Sequence, residues 1–187
     1  MRKTILPIAL TLVLFAGVAA AQVPTAGNVF FGYSYENASS SLFPSDLSRP
    51  NLQGWEASLE GRVIPAFGIV ADFSGHYGSQ NLTEITPEGP FSVNVTEHEE
   101  EVMFGPRFSI PVGKFRPFAE FEFGVAHIST NNGFGSDTSF ANAIGGGLDY
   151  RIIRPIAWRF QGDYVFTRFF GTSQNNVRLS TGIVFRF

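Results

Sequence analysis

The chain has 187 residues, a formal net charge of −3, 21 Phe, 20 Gly and no Cys, and only 16% of its residues are charged. That length suits one domain. The lack of a basic field argues against a nucleic-acid partner, and the lack of Cys excludes disulfides, thiolate metal sites and cysteine nucleophiles.

Residues 1–21 read as a cleaved signal peptide: Arg2 and Lys3, an apolar run from Ile5 to Val18, then Ala19-Ala20-Ala21. The run is short for a membrane-spanning helix. No Cys follows it to carry a lipid, so residues 22–187 are expected to form one exported domain.

From Gly27 onward, segments of about ten residues alternate between two unlike faces. GNVFFGYSYE sets Val29, Phe31, Tyr33 and Tyr35 against Gly32, Ser34 and Glu36. GWEASLEGRV sets Trp55, Ala57, Leu59 and Val63 against Glu56, Ser58, Glu60 and Arg62. FGIVADFSGHY places Phe67, Ile69, Ala71, Phe73 and Tyr77 opposite Asp72, Ser74 and His76. EVMFGPRFSI places Val102, Phe104, Phe108 and Ile110 opposite Met103, Gly105, Arg107 and Ser109, with Pro106 predicting a bulge.

The second half continues the pattern. RPFAEFEFGVAH sets Phe121, Phe123 and Val125 against Glu120, Glu122 and Gly124. FANAIGGGLDYR sets Phe140, Ile144, Leu148 and Tyr150 against Ala143, Gly145, Gly147, Asp149 and Arg151. IAWRFQGDYVF sets Ile156, Trp158, Phe160, Tyr164 and Phe166 against Arg159, Gln161 and Asp163. The closing RLSTGIVFRF puts Leu179, Thr181, Ile183, Phe185 and Phe187 opposite Arg178, Ser180, Gly182, Val184 and Arg186.

Tight turns at Ile64-Pro65-Ala66, PVGK and IIRP alternate with longer polar connections, the longest being GSQNLTEITPEGPFSVNVTEHEE. Short turns on one side and long loops on the other predict an all-β fold, an eight-stranded antiparallel up-and-down transmembrane β-barrel. An interior of this size has no room for the roughly nineteen rings of the apolar face. The rings are therefore expected to face lipid and the charges the lumen, the reverse of a soluble lipocalin-like carrier.

On the inner face Glu56, Glu60, Asp72, Glu120, Glu122, Asp149 and Asp163 nearly balance Arg62, Arg107, Arg151, Arg159, Arg178 and Arg186, as a buried network requires. Such a network plugs the lumen and argues against a porin-type conduit. His76 reads as one of its members. Tyr35, Trp55, Tyr77 and Phe166 are expected to ring the loop end, and Phe67, Tyr150, Trp158 and Phe187 the turn end. Gly145-Gly146-Gly147 lies within a strand and permits close packing or bending.

FGPRFSI, RPFAEFEFG, GGGLDY and the terminal RLSTGIVFRF resemble the small outer-membrane barrels of the OmpA/OmpX-like superfamily of Gram-negative bacteria, across nearly the whole chain from Gly27 to Phe187. The resemblance is to the barrel domain only, so no cell-wall tether is implied. It implies an outer-membrane location, contact with outer-membrane lipids and lipopolysaccharide, and a monomer. It also implies that Ile183, Phe185 and Phe187 form the signal read by the barrel-assembly machinery.

Chemistry is sparse. His127-Ile128-Ser129 resembles part of the HxSN motif of PagL-like lipid A deacylases, which would give a hydrolase using His127, Ser129 and an acid such as Glu100. Thr130 replaces the motif's Asn and the position is the fifth strand rather than the C-terminus, so a polar interface pair is the preferred reading. Thr96–Glu101 (TEHEEE) would suit hard divalent cations bridging to lipopolysaccharide, with a solvated, repelling loop base preferred. No cofactor, metal or catalytic residue is expected. The sequence thus predicts a structural, envelope-integrity or adhesion-type role, with any surface ligand held by the long loops.

Overall fold

The computed structural model describes residues 26–37, 51–86, 89–131 and 135–187, and of 80–93 the backbone alone. The predicted signal peptide and the connection spanning 38–50 lie outside the described residues. Eight strands form: β1 Gly27–Asn37, β2 Asn51–Ile64, β3 Phe67–Thr86, β4 Gly89–Ser109, β5 Phe115–Thr130, β6 Ser136–Arg151, β7 Ile156–Thr167 and β8 Gln174–Arg186. Each runs antiparallel to its chain neighbour, and β8 closes on β1. Aromatic and β-branched residues at alternate positions favour such pleated, two-faced strands. Turns with Pro65, Pro111 or Pro155 end them on one side.

Paired residues traced around the wall from Arg62 through Gly68, Arg107, Glu120, Gly145, Asp163, Arg178 and Glu36 return to β2 at Leu52, ten residues from the start. Eight strands with that stagger tilt by about 40° and close at a radius of about 8 Å. Such a lumen holds side chains and little else.

The two faces divide as the alternation predicts. Phe31, Phe73, Phe104, Phe121, Phe140 and Phe160 stand exposed on the outer wall, while Glu56, Asp72, Arg107, Arg159 and Arg178 are buried inside. An exposed belt of rings around a charged interior is the reverse of what a soluble carrier needs. Trp55, Tyr77 and Tyr164 lie toward the loop end of this belt, and Phe115, Tyr150, Trp158 and Phe187 toward the turn end.

Three expectations are corrected. The long connection after Tyr77 is mostly strand: β3 and β4 stay paired from Gly78↔Glu97 to Thr86↔Gly89. Only Glu97 and the residues after it in β4 pair with β5. The ribbon of residues 79–86 and 89–96 therefore runs about 27 Å along its strands beyond the wall, and among the described residues neither edge pairs with another strand. Next, Pro106 makes no bulge. Gly105 and Pro106 drop out of the β4–β5 ladder, yet its register resumes unchanged at Arg107↔Glu120; the wall's shift lies instead between Arg62 and Ile64. Last, Thr96–Glu101 is no solvated loop base: Glu97, Glu99 and Glu101 point inward and are buried, while His98 and Glu100 face out.

Candidate functional site

The lumen is layered along the barrel axis. At the turn end Arg62, Arg116, Arg151 and Arg186 surround a mouth that Ile153, Pro155 and Phe187 also line. Arg116 is held by Ser109 Oγ at 3.0 Å and the Pro65 carbonyl at 3.2 Å, and Arg186 by Asp149 Oδ2 at 3.1 Å. Arg151 makes no ion pair among the described residues.

Above this mouth lie two charge groups separated by a ring. Arg159 grips Asp149 with two bonds, Nε to Oδ1 at 2.7 Å and Nη2 to Oδ2 at 3.3 Å. Arg107 bonds Glu120 and reaches Glu60 at 3.4 Å, and Arg62 approaches Glu60 at 3.8 Å. The ring of Phe118 lies 4.6 Å from each of the Arg107 and Arg159 guanidiniums, and Phe30 lies 4.9 Å from Arg159. Buried rings between desolvated cations are attracted to both. Room for Phe118 comes from Gly147, where a Cβ would lie 2.7 Å from Phe118 Cζ.

The third layer centres on Arg178 of β8. Its Nη1 donates to Asp72 at 3.1 Å and to Glu101 and Ser74 at 3.0 Å, and its Nε to Asp163 at 3.2 Å. Glu56 lies at 3.7 Å, and Glu122 at 4.0 Å is past hydrogen-bonding distance. Gln161 joins Glu56 to Asp163 at 2.9 and 3.0 Å, and Ser180 donates to Glu56.

Nearest the loop end, Glu36, His76 and Glu99 are buried above the Arg178 layer, with Glu97 farther out. Facing them, Met103, Ala126, Ile128, Ala141, Ala143, Val165 and Phe169 form an apolar cluster. Acids thus crowd the loop end and guanidiniums the turn end. Glu36 lay on the polar face of the sequence alternation. Glu97, Glu99 and Glu101 were legible there too, because TEHEEE alternates acids with His98 and Glu100, a strand signal obscured by its charge.

His127, Ser129 and Glu100 all face outward at the loop-end edge of the aromatic belt, about level with Tyr77. Glu100 pairs with His127 across the β4–β5 ladder, and Ser129 pairs with His98. The hydrogen-bond partner of His127 Nδ1 is Thr138 Oγ1, at 2.7 Å, and neither Glu100 nor Ser129. His98 packs edge-on against Tyr77 at 4.8 Å. Ile183 and Phe185 lie on the outer face of the β1–β8 seam, opposite Phe31 and Val29. Phe187 exchanges two backbone hydrogen bonds with Gly27, at 3.0 and 3.2 Å.

No protein-family model matches this chain, and no curated protein does. Solved structures do match. Neisserial surface protein A shares 14% identity at a TM-score of 0.65, covering 87% of this chain and 99% of its own. The outer membrane protein Ail of Yersinia pestis, in complex with the heparin analogue sucrose octasulfate, shares 15% at a TM-score of 0.55, covering 86% and 98%. At these identities the likeness is one of fold: the closed eight-stranded barrel of small bacterial outer-membrane proteins.

Proposed function

We propose that this chain is an outer-membrane barrel that seals its own lumen and presents its β3–β4 ribbon and loops to a ligand outside the cell. One observation carries this reading: a wall whose interior is filled by ion pairs and rings supports a ribbon reaching well beyond it. A sealed interior suits a rigid mount and not a conduit. Among the described residues the ribbon's edges pair with no other strand, which suits the addition of a partner strand or the binding of a surface ligand. Ail, named for attachment and invasion and solved with a heparin analogue, is a precedent in this fold for surface recognition. Ile183, Phe185 and Phe187 serve in this reading as the assembly signal of β8.

The test uses cells displaying the whole chain or a version in which residues 79–96 are replaced by a short Asn-Gly turn. Both should migrate faster unboiled than boiled in detergent gels, and both should be silent in planar bilayers. Only the intact chain should retain cells on immobilised matrix proteins or sulfated glycans. Stable unitary openings of the intact chain, or equal retention by both versions, would reject the reading.

A further inference from the structure

Among the described residues, the acids at the loop end of the lumen outnumber the cations that face them. Arg178 is already shared among Asp72, Glu101, Asp163 and Glu56, yet Glu36, Glu97 and Glu99 are buried in the same region. Glu36, His76 and Glu101 each offer a donor atom within 4.8 Å of the others, and Glu99 is the cross-strand partner of His76. Glu101 commits Oε2 to Ser74 at 2.8 Å and to Arg178, while its Oε1 has no hydrogen-bond partner among the described residues. The same is true of Glu99 Oε1 and His76 Nδ1.

The imidazole supplies an independent observation. His76 is fully buried, and its Nε2 lies 2.8 Å from Ser34 Oγ, which lies 2.9 Å from Ser180 Oγ. Ser180 Oγ contacts both Ser34 and Glu56, and its single proton serves one of them. With that proton on Glu56, Ser34 donates to Ser180 and accepts from Nε2–H of His76, the tautomer that a cation at Nδ1 requires. That leaves a lone pair on Nδ1, aimed at Glu36 Oε2 only 3.3 Å away. Two lone pairs held face to face in a buried site call for a cation between them. A ring whose far N–H is fixed by a hydrogen bond is the usual arrangement of a metal-ligating histidine.

We propose that His76 Nδ1 and the carboxylates of Glu36 and Glu101 bind one divalent transition-metal ion, with Ser34 as the positioning residue. One imidazole among carboxylates suits an ion of the Zn²⁺ class better than Ca²⁺ or Mg²⁺. The apolar cluster opposite limits competing water. Bound there, the ion ties β1, β3 and β4 together beneath the ribbon and offsets the surplus negative charge. The inference is independent of surface binding, so its failure leaves the proposed function standing.

The experiment takes the whole barrel, refolded in detergent and stripped with a chelator, and titrates it with Zn²⁺. The folded wild type should retain one equivalent through gel filtration, and Co²⁺ in its place should give visible ligand-field absorption. His76→Asn should abolish both, Ser34→Ala should weaken binding by about tenfold, and His98→Gln, on the outer wall, should change neither. If His76→Asn does not refold, Ser34→Ala and Glu36→Gln carry the test. No stoichiometric binding by the folded wild type, or binding unaltered by the lumen substitutions, would overturn the proposal and leave a shared proton as the cation.

Discussion

The guanidinium of Arg178 lies within 3.2 Å of carboxylates on β3, β4 and β7 while rooted on β8. Removing it leaves several buried acids without their cation, a far larger loss than the pairs contribute net of desolvation. Arg178→Met should destabilise the barrel by about 3–5 kcal/mol, read as a lower urea midpoint in lipid vesicles. Arg151→Gln, at the turn-end mouth and without an ion pair, should change stability by no more than about 0.5 kcal/mol. Equal effects would mean that the Arg178 layer is not a structural centre. The sequence alternation puts both arginines on the inner face, but it cannot rank them. The partners of Arg178 depend on a stagger of ten residues that brings it on β8 against Asp72 on β3, more than a hundred positions away in the chain.

Among the strands, β6 shows how small residues are used. At Gly147 an added Cβ would run into the Phe160 carbonyl oxygen and lie 2.7 Å from Phe118, the ring held between Arg107 and Arg159, whereas Gly162 on β7 would meet only Leu179, at 3.3 Å. Gly147→Ala should push both the neighbouring β7 backbone and Phe118 aside and cost about 1–3 kcal/mol by overpacking, with Gly162→Ala close to neutral. The urea midpoints of the two variants, measured side by side, decide it; equal values would show that the β6–β7 wall at Gly147 is not close-packed. The triple glycine was visible in the sequence as a place of close packing, but the ring it admits was not. Phe118 and Phe30 are apolar residues on the polar face, and strict alternation offers no reason for them until two guanidiniums are seen to flank a ring. The β3–β4 ribbon was obscured for a different reason. A period-two signal arises only where the two faces meet different surroundings, and the ribbon extends past the paired wall that separates them.

For the molecule as a whole, the outer wall was the most legible part, because every outward residue answers to one solvent. The belt runs from Phe115 and Phe187 near the turns to Tyr77 near the loops. At the tilt given by the stagger this spans about 29 Å, close to the apolar height expected of an outer-membrane barrel. Phe121, beside Phe123 at 6.4 Å, falls near the middle of that height. Phe115, against Tyr150 at 5.3 Å, falls at its turn-end edge. Both are about half exposed, so in water a change to Arg would cost similarly little at either. In a bilayer depth separates them: Phe121→Arg should cost about 2–4 kcal/mol and Phe115→Arg about 0–1 kcal/mol. Reversible urea unfolding of the two variants in lipid vesicles reads the difference directly. A clear gap, with Phe121 the dearer, places the belt in lipid at the height its rings indicate. Equal costs would mean that the wall does not sit in a membrane at that height, and the sealed lumen would then need a different setting to explain it.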